Sequence, residues 1–265
     1  MKRWIALLLL VLWCLPVGSA LAAEQVTCWF APGKSMDQAK VLTEALSKAS
    51  GADVKPRVAN SYAEILDAFG GKEMNLVYAG SFVQAIIVAR KMGTALVQNA
   101  DGKELYAGVM IYKAEDDPQQ ILASSPGAIA YAIGASSGES CAKAATGGKA
   151  SIGVLSHGAA VEALVSGKAK AAMVKDGWWQ SNKDKYKGLK VYEVPKVSEK
   201  KNPDNVLTAS SEVPAALADK IKAAALSNSA AFGQGANIKP FNNSQLNFSL
   251  GLMMQGKIDP LSYKW

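Results

Sequence analysis

Tyr131-Ala132-Ile133-Gly134-Ala135-Ser136-Ser137-Gly138-Glu139-Ser140 is the stretch that decides how this chain is read. Ala128 to Ile133 is a short apolar run of strand type, and Glu139 to Ala145 reads as a helix with an acidic first turn. The loop between them is made of small and hydroxyl residues. Such a junction presents unpaired backbone N–H groups and two or three hydroxyls at the positive end of a helix, which suits an anion. Gly134 to Gly138 also spells the G-x-S-x-G nucleophile elbow, so a serine hydrolase using Ser136 is a competing reading. His157 is the sole histidine. It follows Ser136 by 21 residues with only Glu139 as an acid between, whereas the hydrolase plan puts a separate acid before a late histidine. Plain helix capping by serine explains the same residues without any ligand.

Working outward, strand-like and helix-like runs alternate along the chain, the pattern of an α/β protein with mostly parallel sheets flanked by helices. Gln25 to Phe30 reads as a strand. Ser35-x-x-Gln38 predicts a capped helix whose Met36, Ala39, Leu42, Leu46 and Ala49 share a face. Asp53 to Val58 is the next strand, Ser61-x-x-Glu64 opens a helix, Asn75 to Tyr78 is a third strand and Ser81-x-x-Gln84 caps a helix through Arg90. Three such units place Phe30–Ser35, Asn60–Ser61 and Tyr78–Ser81 along one carboxyl edge, where ligands of open α/β sheets bind.

A strand from Thr94 to Gln98 and a longer one from Leu105 to Tyr112 follow, and a polar break at Lys113 to Pro118 opens a second series. That series runs through Ala128–Ile133, the helix after Gly138, Ser151–Leu155, a helix from His157 to Ser166 and the strand Ala171–Val174. Val191–Val194, the strand Asn205–Ala209 and a helix begun by Pro214 lead out of it. The expected organisation is two α/β lobes with a ligand cleft between them, 24–112 plus 206–265 forming one and 113–205 the other.

The N-terminus carries Lys2 and Arg3, an apolar run from Trp4 to Leu15, and small residues at Ala20 and Ala22, the layout of a secretory signal peptide over residues 1–23. Cys14 follows bulky Trp13, which argues against lipid attachment there. No later apolar stretch approaches the ~20 residues needed to span a bilayer. The chain has a formal charge of +7, two units of it in that leader. Beyond the leader the cations other than Arg57 and Arg90 are lysines scattered among acids, without the arginine and aromatic clustering that reads nucleic acid. Cys28 and Cys141 remain after processing, and an oxidising compartment permits one disulfide without the sequence showing that they meet. No CxxC, histidine cluster or HExxH points to zinc, and no cofactor is implied.

Several separated segments, in order, resemble one family, the phosphonate-type periplasmic solute-binding proteins of ABC transporters, which have the type II periplasmic-binding fold. They are Leu76 to Ala85, similar to the family's strand, Gly-Pro and helix; Ala135-Ser136-Ser137-Gly138, similar to its Ser-Thr-Ser-Gly anion loop; Ser156 to Gly167, similar to its His-led helix; and Val206 to Ala225. The resemblance implies an exported protein without enzymatic activity that captures a small oxyanion (phosphate, phosphonate or phosphite) for an ABC transporter, monomeric, periplasmic and partnered by the inner-membrane permease. A ligand-sensing partner of a membrane signalling kinase would use the same fold.

The chain departs from that pattern at two places. Lys170-Ala171-Ala172 stands where the family opens a strand with an acid, leaving Asp176 for the later acidic position, and Ser81 replaces the proline of Gly-Pro. An amino-phosphonate ligand is therefore less secure than a simple oxyanion. The residues expected to meet the ligand are Ser81, Ser136, Ser137, Gly138, His157, Tyr78, Asp176 and Lys34. Trp29 and the pair Trp178-Trp179 read more readily as packing.

Overall fold

The computed structural model describes residues 23–265, so the expected signal peptide lies, apart from Ala23, outside the described residues. Among the described residues no helix is long and apolar enough to cross a membrane. The first series is β1 (Gln25–Phe30), α1 (Met36–Ser50), β2 (Asp53–Val58), α2 (Tyr62–Gly70), β3 (Asn75–Ala79), α3 (Ser81–Ala89) and β4 (Gly93–Asn99). Its local signals act as expected at α1. Ser35 accepts from the Gln38 N–H, Gly51 closes the helix with φ 79°, and Ala39, Leu42 and Leu46 form its buried face. Each such leucine contributes about 1.5–3 kcal/mol by leaving water.

The second series is β5 (Leu105–Tyr106), β6 (Gly108–Lys113), α4 (Pro118–Ser124), β7 (Ile129–Ala132), α5 (Ser137–Thr146), β8 (Ile152–Val154), α6 (His157–Val165), β9 (Ala171–Lys175), α7 (Asp176–Asn182) and β10 (Leu189–Tyr192). The chain ends with β11 (Asn202–Pro203), β12 (Val206–Ser210), α8 (Ala215–Ser227), β13 (Ile238–Pro240) and α9 (Asn247–Gln255).

Two main sheets result, in the orders β13-β4-β12-β3-β1-β2 and β10-β6-β9-β7-β8, with β11 and β5 forming a short ribbon. The α/β fold with helix-flanked sheets is as expected, but the sheets are mixed rather than mostly parallel. β1 pairs in parallel with β2 and β3, and β7 with β8 and β9. β12 runs antiparallel between β3 and β4, and β6 antiparallel between β9 and β10. Strands that return from the other sheet enter against the direction of the βαβ units.

The predicted strand Leu105–Tyr112 divides at Ala107. Its first two residues join the ribbon and the rest join the second sheet, so the chain crosses before Gly108 rather than near Tyr112. Gly108 is required at the join: a Cβ there would sit 2.4 Å from the Cys141 sulfur.

One apolar cluster runs through both sheets' layers, joining Phe82 and Ile86 of α3, Met110, Cys141, Met173 and, from α9, Leu252 and Met253. The C-terminal tail continues this seam. Arg90 at the end of α3 donates to the Pro260 carbonyl at 2.8 Å, and the Trp265 indole donates to Asp67 of α2 at 2.7 Å. Tyr263, between them, donates to Glu139 of α5 and accepts from the Ala135 N–H. Cys28 and Cys141 are free, buried in different clusters, and burial raises both thiol pKa values.

Candidate functional site

A small cavity opens where the carboxyl ends of β1 and β3, from one sheet, face the loop before α5 in the other. Gly80, Phe82 and Val83 of the α3 start, Ser136 and Ser137 of the α5 start, Lys34, Lys175 and Asp204 all reach it. The space left is about 30 Å3. That holds about two waters, the bulk of one compact tetrahedral anion.

Two helix N-termini converge here from different sheets. α3 has Gly80 as its N-cap with no side-chain cap, so its first N–H groups are open to a ligand. Ser81 was expected to cap this helix; instead it is the first helical residue, and its buried hydroxyl lies 3.1 Å from the Tyr106 hydroxyl and 2.6 Å from Ser249. It therefore supports the wall from behind. At α5 the cap is Ser136, which accepts from the Glu139 N–H at 3.0 Å and donates to the Ala132 carbonyl. Both roles hold the helix start; the N–H groups of Ser137 and Gly138 are the first-turn donors outside that cap.

The loop before α5 is tightly built. Gly134 has φ 90°, and a Cβ there would meet the Ala63 nitrogen of α2 at 2.3 Å. The loop is thereby pressed against the other sheet's layer at Tyr62 and Ala63. Ala135 holds φ 56°, a conformation uncommon for alanine, and its N–H reaches Glu139 and Tyr263, each at 3.0 Å. Gly138 is fixed by closeness too: a Cβ would sit 2.5 Å from the Met173 carbonyl.

His157 heads α6, whose cap is Ser156, and lies behind Ser137 rather than in the cavity wall. Its Nε2 is 3.3 Å from the Ser137 hydroxyl, and Nδ1 is buried without a partner. Burial, with the charge of Lys175 adding, lowers its pKa to about 3. The imidazole is neutral at pH 7. The tautomer with Nε2–H donates to Ser137 and frees the hydroxyl hydrogen of Ser137 for the cavity. His157, expected to meet the anion directly, does not line this cavity but touches Ser137, which does.

The hydrolase arrangement is not formed. Ser136 faces no histidine, and the Ser137–His157 pair has no acid on Nδ1.

Charge in the cavity comes from Lys34, which the sequence reading selected, and from Lys175 and Asp204, which it did not. Lys175, at the end of β9, pairs with Asp204 and lies 4.5 Å over the Tyr106 ring. Lys34 also lines the cavity; desolvation lowers its pKa, Asp204 opposing and Lys175 adding to that fall. Tyr78 lines the wall as expected. Asp176 does not join the others. It follows Lys175 immediately, and starts α7 on the far side, where its carboxylate accepts from the Gly177 N–H at 2.7 Å and pairs with Lys200 at 3.6 Å in a separate cavity. Tyr62, Tyr106, Lys175, Asp204 and Asn205 were missed because each lies far in sequence from the serine loop; only the polar break around Asp204 hinted at them.

Two sheets of mixed direction with a ligand-sized cavity at their seam are the type II periplasmic-binding fold. Residues 26–133 match the family model described as ABC transporter, phosphonate, periplasmic substrate-binding protein, which bears out the resemblance over the stretch that holds Leu76 to Ala85. Among solved structures, PhnD1 from Prochlorococcus marinus in complex with methylphosphonate aligns with TM-score 0.66 and 13% identity, over 89% of this chain and 99% of that one. A binding protein component of an ABC phosphonate transporter from Pseudomonas aeruginosa aligns with TM-score 0.66 and 16% identity, over 88% and 87%. A Xanthomonas citri protein bound to ATP aligns with TM-score 0.62 and 10% identity, over 88% and 97%. No curated protein sequence matches.

Proposed function

We propose that this chain is an exported solute-binding protein that encloses a small oxyanion, namely phosphate, phosphite or a phosphonate, and delivers it to the permease of an ABC transporter. It acts in the periplasm as a monomer, with residues 24–107 plus 206–265 and 108–205 as the two closing lobes, and it catalyses no reaction. The observation that carries this reading is the meeting of two helix N-termini, one without a side-chain cap, with two lysines around a cavity of anion size. Backbone N–H groups and hydroxyls in a desolvated site make charge-assisted bonds that neither a sugar nor an apolar amino acid would match.

In this proposal Ser136, Ser137, Tyr78 and Lys34 face the ligand, while Gly138, His157 and Ser81 shape the wall that holds them. Lys175 already neutralises Asp204, so the ligand needs no ammonium group of its own. The test is a thermal-shift panel of phosphate, phosphite and methylphosphonate against glucose and leucine. A ligand at 100 times its Kd adds about 2.7 kcal/mol of stability, a shift of several degrees. A panel in which only the sugar or the amino acid stabilises would refute the proposal.

A further inference from the structure

Two hydrogen-bond acceptors stand among the donors of the anion cavity, and one of them is fixed as an acceptor by residues that do not reach the cavity. Tyr106 lines the cavity, and its hydroxyl oxygen lies 3.1 Å from the place a Cβ on Gly80 would take, beside the uncapped start of α3. Behind Tyr106 runs a file of buried polar side chains from three further elements. The Ser81 hydroxyl of α3 is 3.1 Å from that of Tyr106, and the Ser249 hydroxyl of α9 is 2.6 Å from that of Ser81 and 2.8 Å from Asn202 Oδ1 of β11.

One assignment of hydrogens satisfies the whole file. Asn202 Nδ2 donates to the Tyr106 carbonyl at 3.2 Å, which turns Oδ1 toward Ser249. Ser249 is within donating reach of both Ser81 and Asn202 but has a single hydroxyl hydrogen. Because Oδ1 can only accept, that hydrogen goes to Asn202, and the bond between the two serines is donated by Ser81. The hydrogen of Ser81 is then spent, so Tyr106 donates to Ser81. The phenolic hydrogen is drawn away from the cavity, and oxygen lone pairs are left to face it. Asp204 supplies the second acceptor. Its Oδ2 pairs with Lys175, while Oδ1, with no hydrogen-bond donor among the described residues, lies 3.2 Å from the same Gly80 position.

We infer that the cavity selects an oxyanion carrying a hydrogen on oxygen over one that carries none, such as a sulfonate or sulfate, and that Ser81 and Ser249 are positioning residues that set this choice by orienting Tyr106. This rests on the oxyanion reading and adds which protonation state of the anion is held. A P–OH group gives its hydrogen to these acceptors, whereas a bare anion sets lone pair against lone pair in a site without water to intervene.

The experiment is calorimetry on the mature chain at about pH 6 with inorganic phosphate, methylphosphonate and methanesulfonate. At that pH methylphosphonate is chiefly a monoanion with one P–OH, and methanesulfonate has the same charge and tetrahedral shape without the hydrogen. Methylphosphonate should bind at least about a hundredfold tighter. Ser249→Ala releases the Ser81 hydrogen toward Tyr106, whose own hydrogen then turns into the cavity, so methanesulfonate should gain about tenfold. Ser81→Ala should give the same gain, and adding Tyr106→Phe to Ser249→Ala should cancel it. A merely structural role for the serines would weaken both anions together. Equal affinities for methylphosphonate and methanesulfonate in the parent would overturn the inference and leave the oxyanion site intact. So would a preference unchanged in both serine variants, or a gain that survives Tyr106→Phe. Failure of phosphate and methylphosphonate to bind at all would instead overturn the oxyanion reading, and this inference with it.

Discussion

Replacing His157 by glutamine tests how the buried imidazole is held. The ring sits between Tyr62 and Trp178, at centroid distances of 6.1 and 6.0 Å, with Nε2 on Ser137 and Lys175 as the charge that acts on it. Its folded pKa is about 3 against an ordinary 6.5. Between those values the unfolded chain binds a proton that the folded chain does not. The stability held in the neutral ring is therefore complete above pH 6.5 and is lost as the pH falls toward 3. At about 1.4 kcal/mol per pH unit below the unfolded pKa, the loss from pH 7 to pH 5 is about 2 kcal/mol. Urea unfolding of the mature protein at those two pH values should show the parent losing about 2 kcal/mol more than His157→Gln. Choosing pH 5 as the lower limit keeps most carboxylates ionised, and their contribution is common to both proteins. Equal pH dependence in parent and variant would mean that the folded protein accepts the proton freely, and the account of a dry, neutral His157 behind the anion loop would fall.

Other expectations separate the roles assigned around the cavity. Ser136→Ala removes a cap used twice and should lower stability by about 1 kcal/mol in thermal unfolding, whereas Ser137→Ala should leave unliganded stability near the parent's and weaken anion binding by about 1–3 kcal/mol in calorimetry. Interchanged effects would reverse those assignments. Gly134→Ala would drive a methyl group against the Ala63 backbone at a φ that suits glycine, so scattering at saturating anion should give a larger radius of gyration than the parent's; identical radii would show that the loop does not set closure. Lys175→Met leaves Asp204 uncompensated at the cavity and should weaken anion binding at least about tenfold, more so at low salt. Unchanged affinity would remove Lys175 from the site.

The sequence determined the units by itself. Apolar runs such as Gln25–Phe30 and Asn75–Tyr78 and cap residues such as Ser35 and Ser61 act over a few neighbours, and each strand or helix they mark is present within a residue or two of its expected ends. The serine loop was legible for the same reason, because a strand, two glycines and a helix cap lie within ten residues. Which sheet each strand enters was not legible. Leu105 to Tyr112 is one continuous pattern, yet close packing of Gly108 on Cys141 and pairing with β11 divide it between two layers. Direction was equally hidden, since β12 reads the same whether it runs with β3 or against it.

The site itself needed tertiary structure. Lys175 and Asp176 are neighbours in sequence, but the turn from β9 into α7 sends one to the cavity beside Asp204 and the other to Lys200. Ser81 has the spacing of a cap and spends its hydroxyl on Tyr106 and Ser249, 25 and 168 residues away. Local signals are set by backbone hydrogen bonds over three or four residues, whereas charge pairing, cavity size and the neutral state of His157 depend on which distant groups exclude water from one another. Those are decided only when both sheets are packed.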